Sequence, residues 1–264
     1  MTPRLLPEDA RLADRMRRQC ARTCQEYRLL VPDMRVLVAV SGGKDSLCLL
    51  DMLVDLKRRA PFSFHLAACT LDPGFSDFDA GAVGEFCRQR GVEYRLIRED
   101  LVGIIGRSAD HERLPCVMCA RLRRGVLYTH AAANGFDAIA LGHHQDDIIE
   151  TLLLNLFYNA RIAAMPPRLV SDDGRNVVIR PLAAVPEAWT SRLAVVRGYP
   201  VQEPRCPLTS GGKAADSRRR QVKDLIAALE RDNPHLRSNL FSALSSVNLR
   251  HLHLPPVTGP GGDA

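Results

Sequence analysis

No run of about eighteen or more uncharged apolar residues occurs in this chain, so it offers no segment able to cross a bilayer as a helix. Its first residues, Met1 to Arg18, lack the apolar core of a secretory signal and are rich in arginine and acids instead, which makes the cytoplasm the expected compartment and a membrane partner unexpected. Without a secretory context, its eight cysteines are not a disulfide framework, because cytosolic thiols are kept reduced. No internal repeat is present. At 264 residues with 46% hydrophobic content, the chain is long and apolar enough to bury a full core, which excludes disorder throughout. The net charge of +6 suits a polyanionic partner such as RNA, and equally suits an ordinary basic enzyme.

What is present alternates between two periods. Residues from about Pro7 to Leu30 space apolar positions as a helix with a charged outer face. Met34 to Val40 is a continuous β-favouring run, the pattern of a strand buried on both faces of a parallel sheet. A glycine-bearing loop follows, and then leucines at 47, 50, 53 and 56 mark a helix from Ser46 to Arg59 with a basic carboxyl end. The alternation repeats through strands at Phe64–Leu71, Glu93–Ile97, Ala138–Leu141 and Val177–Arg180, and helices at Asp79–Arg90, Arg121–Asn134 and Asp146–Phe157. An α/β fold with a doubly wound parallel sheet is therefore expected. We expect four parts: a helical segment over 1–32, the sheet domain over 33–185, a smaller carboxy-terminal element over 186–250 with a basic helix from about Ser217 to Arg231, and a disordered tail over 251–264.

The loop after the first strand reads Ser41-Gly42-Gly43-Lys44-Asp45-Ser46. It lacks the glycine spacing of a Walker loop and of the dinucleotide fingerprint. A polyphosphate needs several converging backbone N–H groups, and Gly42 and Gly43 let the chain approach that closely. Ser41 and Ser46 add hydroxyls, Lys44 adds a point charge, and the next helix points its amino terminus at the anion. Asp45 beside phosphate makes sense as a Mg²⁺ ligand, with Asp146 as the second. The bland alternative is an ordinary glycine turn.

A second acidic motif, Gly142-His143-His144-Gln145-Asp146-Asp147, directly follows a strand and so lies at the end of the sheet where nucleotides bind in open α/β folds. Its histidines suit metal binding or acid–base work, and the same residues also suit helix capping. Gly142 and His143 join residues 41–46 as expected nucleotide contacts, and Lys44, Asp45 and Asp146 are the expected catalytic groups.

Cys116-Val117-Met118-Cys119 follows a proline and precedes the helical run from Arg121, bringing two thiols within reach of one metal. Cys206, in the polar segment Pro204-Arg205-Cys206-Pro207, is the candidate third ligand, because burial does not account for it there. Cys48, Cys69 and Cys87 read as small buried hydrophobes, and Cys20 and Cys24 as helix packing. Three thiolates leave a fourth metal position open, which favours reactive chemistry, yet zinc with water or a histidine, or a redox disulfide, fits these residues as well.

The loop at 41–46 resembles the PP-loop of the N-type ATP pyrophosphatases. Together with Cys116-x-x-Cys119 leading into Arg121-Leu122-Arg123-Arg124-Gly125, the 142–147 motif and the stretch Met165 to Gly174, it resembles the TtcA family, which makes 2-thiocytidine in tRNA. The resemblance implies cleavage of ATP between its α and β phosphates, adenylation of the C2 oxygen of cytidine at position 32 of the anticodon loop, and displacement of AMP by sulfur. It implies a 4Fe–4S cluster on Cys116, Cys119 and Cys206, a cysteine desulfurase as sulfur donor, and a homodimer. Arg121, Arg123, Arg124, Arg218, Arg219 and Arg220 would track RNA phosphates, with solvated helix faces as the alternative. Thr209 stands where many members carry a further cysteine. Competing readings are uridine 2-thiolation, lysidine-type modification, which needs no cysteine pair, and a non-catalytic RNA-binding module.

Overall fold

The structure is a computed structural model that describes residues 7–72, 78–107, 115–171, 173–202 and 215–252. The apolar run at 34–40 forms β1 (Arg35–Ala39), and the leucine-rich segment after it forms α2 (Lys44–Lys57) behind an opening helix α1 (Pro7–Glu26). β2 (His65–Asp72), α3 (Ala80–Gln89), β3 (Glu93–Arg98) and a short α4 (Leu101–Gly106) follow. The chain then passes through α5 (Pro115–Ala133), β4 (Ala138–Ala140), α6 (Gln145–Tyr158), β5 (Arg168–Val170), β6 (Val177–Ile179) and α7 (Glu187–Val196), and ends in α8 (Ala215–Glu230) and α9 (Leu236–Ala243).

The sheet order is β3-β2-β1-β4-β6-β5, parallel throughout except for β5, which pairs antiparallel with β6. β1 lies between β2 and β4, with Val38 opposite Ala68 on one side and Ala140 on the other. The chain leaves β1 toward β2 and β3, then returns to place β4 on the opposite flank. The carboxyl ends of β1 and β4 therefore frame the switch point, where ligands settle in such sheets.

Alternation along β1 sends Val36 and Val38 into a core shared with α1, α2, α3 and α7, and Leu37 into a second core with Ile139, Ala67, Ala131 and Phe136 beneath α5. Cys20, Cys24, Cys48, Cys69 and Cys87 are all free and buried, as small hydrophobes. Inside the first core sits one charged knot. Asp51 accepts from Arg90 Nε at 2.8 Å, and also pairs with Arg197 and the Tyr199 hydroxyl, joining α2 to α3 and to the end of α7. Burial works against its carboxylate, and the two guanidinium groups more than compensate, holding its pKa below the usual range. Removing one partner of such a group leaves uncompensated buried charge. Asp51→Ala is expected to lose about 3 kcal/mol or more of stability, read as a lower urea midpoint at unchanged slope.

Three boundaries differ from the sequence reading. α5 begins at Pro115, so the cysteine pair opens the helix rather than preceding it; proline suits a first helical position, where its missing N–H is not needed. α1 stops at Glu26, and Arg28 takes φ +48° beyond it. β6 does not end the sheet, because the three exposed residues of β5 form its edge. The boundary expected after residue 185 falls just before α7, whose Leu193 and Ala194 share the first core with Tyr199.

Candidate active site at the carboxyl ends of β1 and β4

The loop leaving β1 is fixed from within. The Ser46 hydroxyl donates to Gly43 O at 2.8 Å and accepts the Ser41 N–H at 3.1 Å. Gly42 takes φ +83°, a conformation strained for any residue with a Cβ, and its carbonyl accepts the Gln202 N–H at 2.9 Å. Gly43 starts α2 without a side-chain cap, leaving the first-turn amides to serve an anion.

The loop leaving β4 lies against this one, backbone to backbone. A Cβ on Gly142 would stand 3.0 Å from the Asp45 carbonyl carbon and oxygen and from Ser46 N. His144 then caps α6: its Nδ1 accepts the Asp147 N–H at 3.3 Å, while Asp147 Oδ2 accepts the His144 N–H at 3.1 Å. With Nδ1 accepting, a neutral ring carries its proton on Nε2. That atom lies 3.4 Å from Asp147 Oδ2, 3.7 Å from Asp45 Oδ2 and 3.9 Å from Glu187 Oε1. The capping reading of His144 and its place in the site are thus one arrangement.

Charge at the site is closely matched. Lys44 Nζ donates to Asp45 Oδ2 at 2.8 Å and to Glu187 Oε1 at 2.9 Å; burial disfavours the ammonium, but these bonds outweigh it and raise its pKa. Thr190 donates to Asp45 Oδ1 at 2.6 Å. Asp146 accepts the Glu187 backbone N–H at 2.6 Å and pairs with Arg237 of α9. From α8, Arg219 Nε lies 2.8 Å from Glu150 Oε2, and Lys223 Nζ reaches Glu150 at 3.5 Å and Glu187 at 3.6 Å. Burial raises the Glu150 pKa even so.

Lys44, Asp45 and Asp146 thus come together as the sequence suggested. Glu187, Thr190, Glu150, Lys223 and Arg237 escaped sequence reading: each sits in an ordinary helix, and Glu187 after Pro186 looks like any acidic first turn. Among the described residues, no group of three or more His, Cys, Asp or Glu side chains is disposed to cage a metal. Mg²⁺ usually takes only one or two carboxylates alongside substrate phosphates and water, so Asp45 and Asp146 fit an ion delivered with a polyphosphate.

His143 faces different company from His144. Burial, and then the nearby Arg180 charge, bring its pKa down to about 4, so it is neutral at physiological pH. Cys119 is half-buried on α5. The side chain of Cys116, and all of Cys206, lie outside the described residues. Of the candidate RNA-tracking arginines, Arg121, Arg124, Arg218, Arg219 and Arg220 are exposed and Arg123 is partly so. Arg219 is engaged by acids, and Arg218 stacks 4.9 Å over the Tyr158 ring.

The family model described as a PP-loop domain matches residues 12–198. A curated tRNA-cytidine(32) 2-sulfurtransferase of Deinococcus radiodurans is 40% identical over 246 residues, covering 93% of this chain and 81% of that protein. The enzyme of the same description from Xanthomonas campestris pv. campestris is 40% identical over 268 aligned residues, covering 100% and 88%. The solved U34-tRNA thiolase NcsA from Methanococcus maripaludis, described with its 4Fe–4S cluster, superposes with a TM-score of 0.74 at 22% identity, covering 92% of this chain and 80% of that one, a likeness of fold.

Proposed function

We propose, because this chain belongs to the PP-loop family and within it to the tRNA-cytidine(32) 2-sulfurtransferases, that it exchanges the C2 oxygen of cytidine 32 for sulfur at the expense of ATP. It is an ATP-dependent tRNA-thiolating enzyme. The observation that carries the residue assignments is the backbone contact between the 41–46 and 142–147 loops, which sets a cationic anion cradle beside a row of carboxylates.

In this reading the loop amides, Ser41, Ser46 and Lys44 hold the ATP phosphates, with Gly142 and His143 bordering the nucleotide. Asp45 and Asp146 turn their carboxylates to the Mg²⁺ that accompanies ATP, and Lys44 steadies the charge that grows on the departing pyrophosphate. Glu187 and Thr190 position Lys44 and Asp45, and His144 holds the start of α6 with its Nε2 proton turned toward the acids. The cytidine oxygen attacks the α-phosphate, pyrophosphate leaves, and C2 then carries AMP as its leaving group. Cys116, Cys119 and Cys206 are soft thiolate donors of the type an iron–sulfur cluster takes; they would hold such a cluster, which would supply the sulfur. A cysteine desulfurase as donor, a homodimer and a cytoplasmic setting belong to the same proposal. Among the described residues, no helix is long and apolar enough to cross a membrane.

The test is incubation of anaerobically purified protein with tRNA, Mg–ATP and a sulfide source, followed by nucleoside mass analysis and assay of protein-bound iron. Thiocytidine at position 32 and about four irons per chain are expected. Thiouridine, or a lysine-bearing cytidine formed without iron, would replace this reading by one of its PP-loop rivals.

A further inference from the structure

Arg180 follows the last residue of β6 and is only 6% exposed. Its Nη1 donates to the Pro166 carbonyl at 2.6 Å, but its buried Nε meets no hydrogen-bond partner. No carboxylate among the described residues pairs with it; burial disfavours its charge, and Arg124 of α5, of its own sign, adds to that. Other sequestered guanidinium groups here are matched: Arg90 and Arg197 share Asp51, and Arg237 bridges Asp146 and Glu230. Withdrawing a guanidinium from water costs several kcal/mol, a cost normally offset by a counter-charge. Among the described residues, Arg180 has none.

His143 stands beside it with the same deficiency, since its buried Nδ1 also lacks a hydrogen-bond partner. The two side chains start from the adjacent carboxyl ends of β4 and β6, where Leu141 N donates to Ile179 O at 2.9 Å. The loop after β4 thus serves two neighbourhoods. His144 sits among the carboxylates next to α2 and α7, whereas the charges that act on His143 are, in order, those of Arg180, Asp147 and Arg219, two cations to one acid. A doubly charged metal is unwelcome in the second neighbourhood, and an anion is welcome.

We propose that Arg180 and His143 form an oxyanion pocket for a phosphate group of the reacting RNA. That phosphate is either the AMP phosphate once joined to the base or a backbone phosphate flanking the target nucleotide. Only the origin of the anion rests on the thiolation reading; the pocket itself rests on the uncompensated guanidinium. Arg180 donates the charged hydrogen bonds, and neutral His143 adds a donor.

The experiment compares wild type with Arg180→Met and Arg180→Lys, measuring calorimetric affinity for AMP, affinity for a tRNA anticodon stem-loop, and the melting temperature without ligand. In Arg180→Met, one of the two affinities is expected to fall about 10- to 100-fold, while the unliganded melting temperature holds or rises because a costly buried charge has gone. Loss in the AMP arm identifies the adenylate phosphate, and loss in the RNA arm identifies the backbone. Arg180→Lys, which keeps charge and fold but loses the forked donors, is expected to lose about tenfold in the same arm. Both affinities within about twofold of wild type in either variant overturn the pocket. A wild-type protein that binds through Arg180 yet forms no thiolated nucleoside sinks the thiolation reading and leaves the pocket standing.

Discussion

Asp146→Asn is expected to slow tRNA-dependent AMP release about 10²- to 10³-fold while leaving the fold intact. The carboxylate is buried, one oxygen accepting the Glu187 N–H at 2.6 Å and the other paired with Arg237. Asparagine can still accept one of these hydrogen bonds, so its defect is the missing negative charge. If that charge serves Mg²⁺, raising the Mg²⁺ concentration restores little, because the amide oxygen is a weaker ligand. If it serves only to anchor α9 through Arg237, the variant keeps its rate within about tenfold and its half-saturating Mg²⁺ is unmoved. Initial rates of AMP and pyrophosphate formation across a Mg²⁺ series separate the two.

Cys116→Ala is expected to divide the reaction instead. AMP release should stay within about threefold of wild type, while thiolated nucleoside falls at least about 10³-fold, because the residue is assigned to sulfur delivery and the phosphate loop lies on other elements. Iron and acid-labile sulfide should fall with it. Retained thiolation with retained iron would remove Cys116 from the donor set, and loss of both half-reactions would show that the cysteine supports the adenylation site as well. The division is informative because the residues proposed for ATP turnover lie in the loop after β1 and on α2, α6 and α7, whereas Cys116 lies in the first turn of α5.

Much of the sheet was legible because its central strands are buried on both faces: Met34–Val40 reads as a continuous β-favouring run and Phe64–Leu71 as a second strand, and β1 and β2 form there. The site's two loops were legible because glycine and acid recur next to strand ends. β5 was not, since its three residues are exposed and its pairing with β6 is a tertiary event with no periodicity to announce it. α7 was passed over for a related reason. Its buried side chains, Thr190, Leu193 and Ala194, are few, and its contribution to the site, Glu187 and Thr190, depends on α7 packing against α2. Arg237 is further still from recognition, 91 residues from the aspartate it meets. Local pattern reveals which elements form, but not which remote cation closes on which acid. The histidines show the opposite limit: adjacent in sequence and both near Asp147, they differ in that His144 caps α6 while His143 lies near Arg180, and no motif could have separated them.

The contact at Gly142 has one more consequence. Where two backbones meet with no room for a Cβ, the position carries no side-chain vocabulary, so this point of the rim cannot be rewritten to recognise a different acceptor. On the proposed function, discrimination between one nucleobase and another falls to the outer walls, α5, the end of β6 and the α8–α9 pair, whose side chains have space to vary. On that reading the rim is given to opening ATP, and the walls decide on whose behalf.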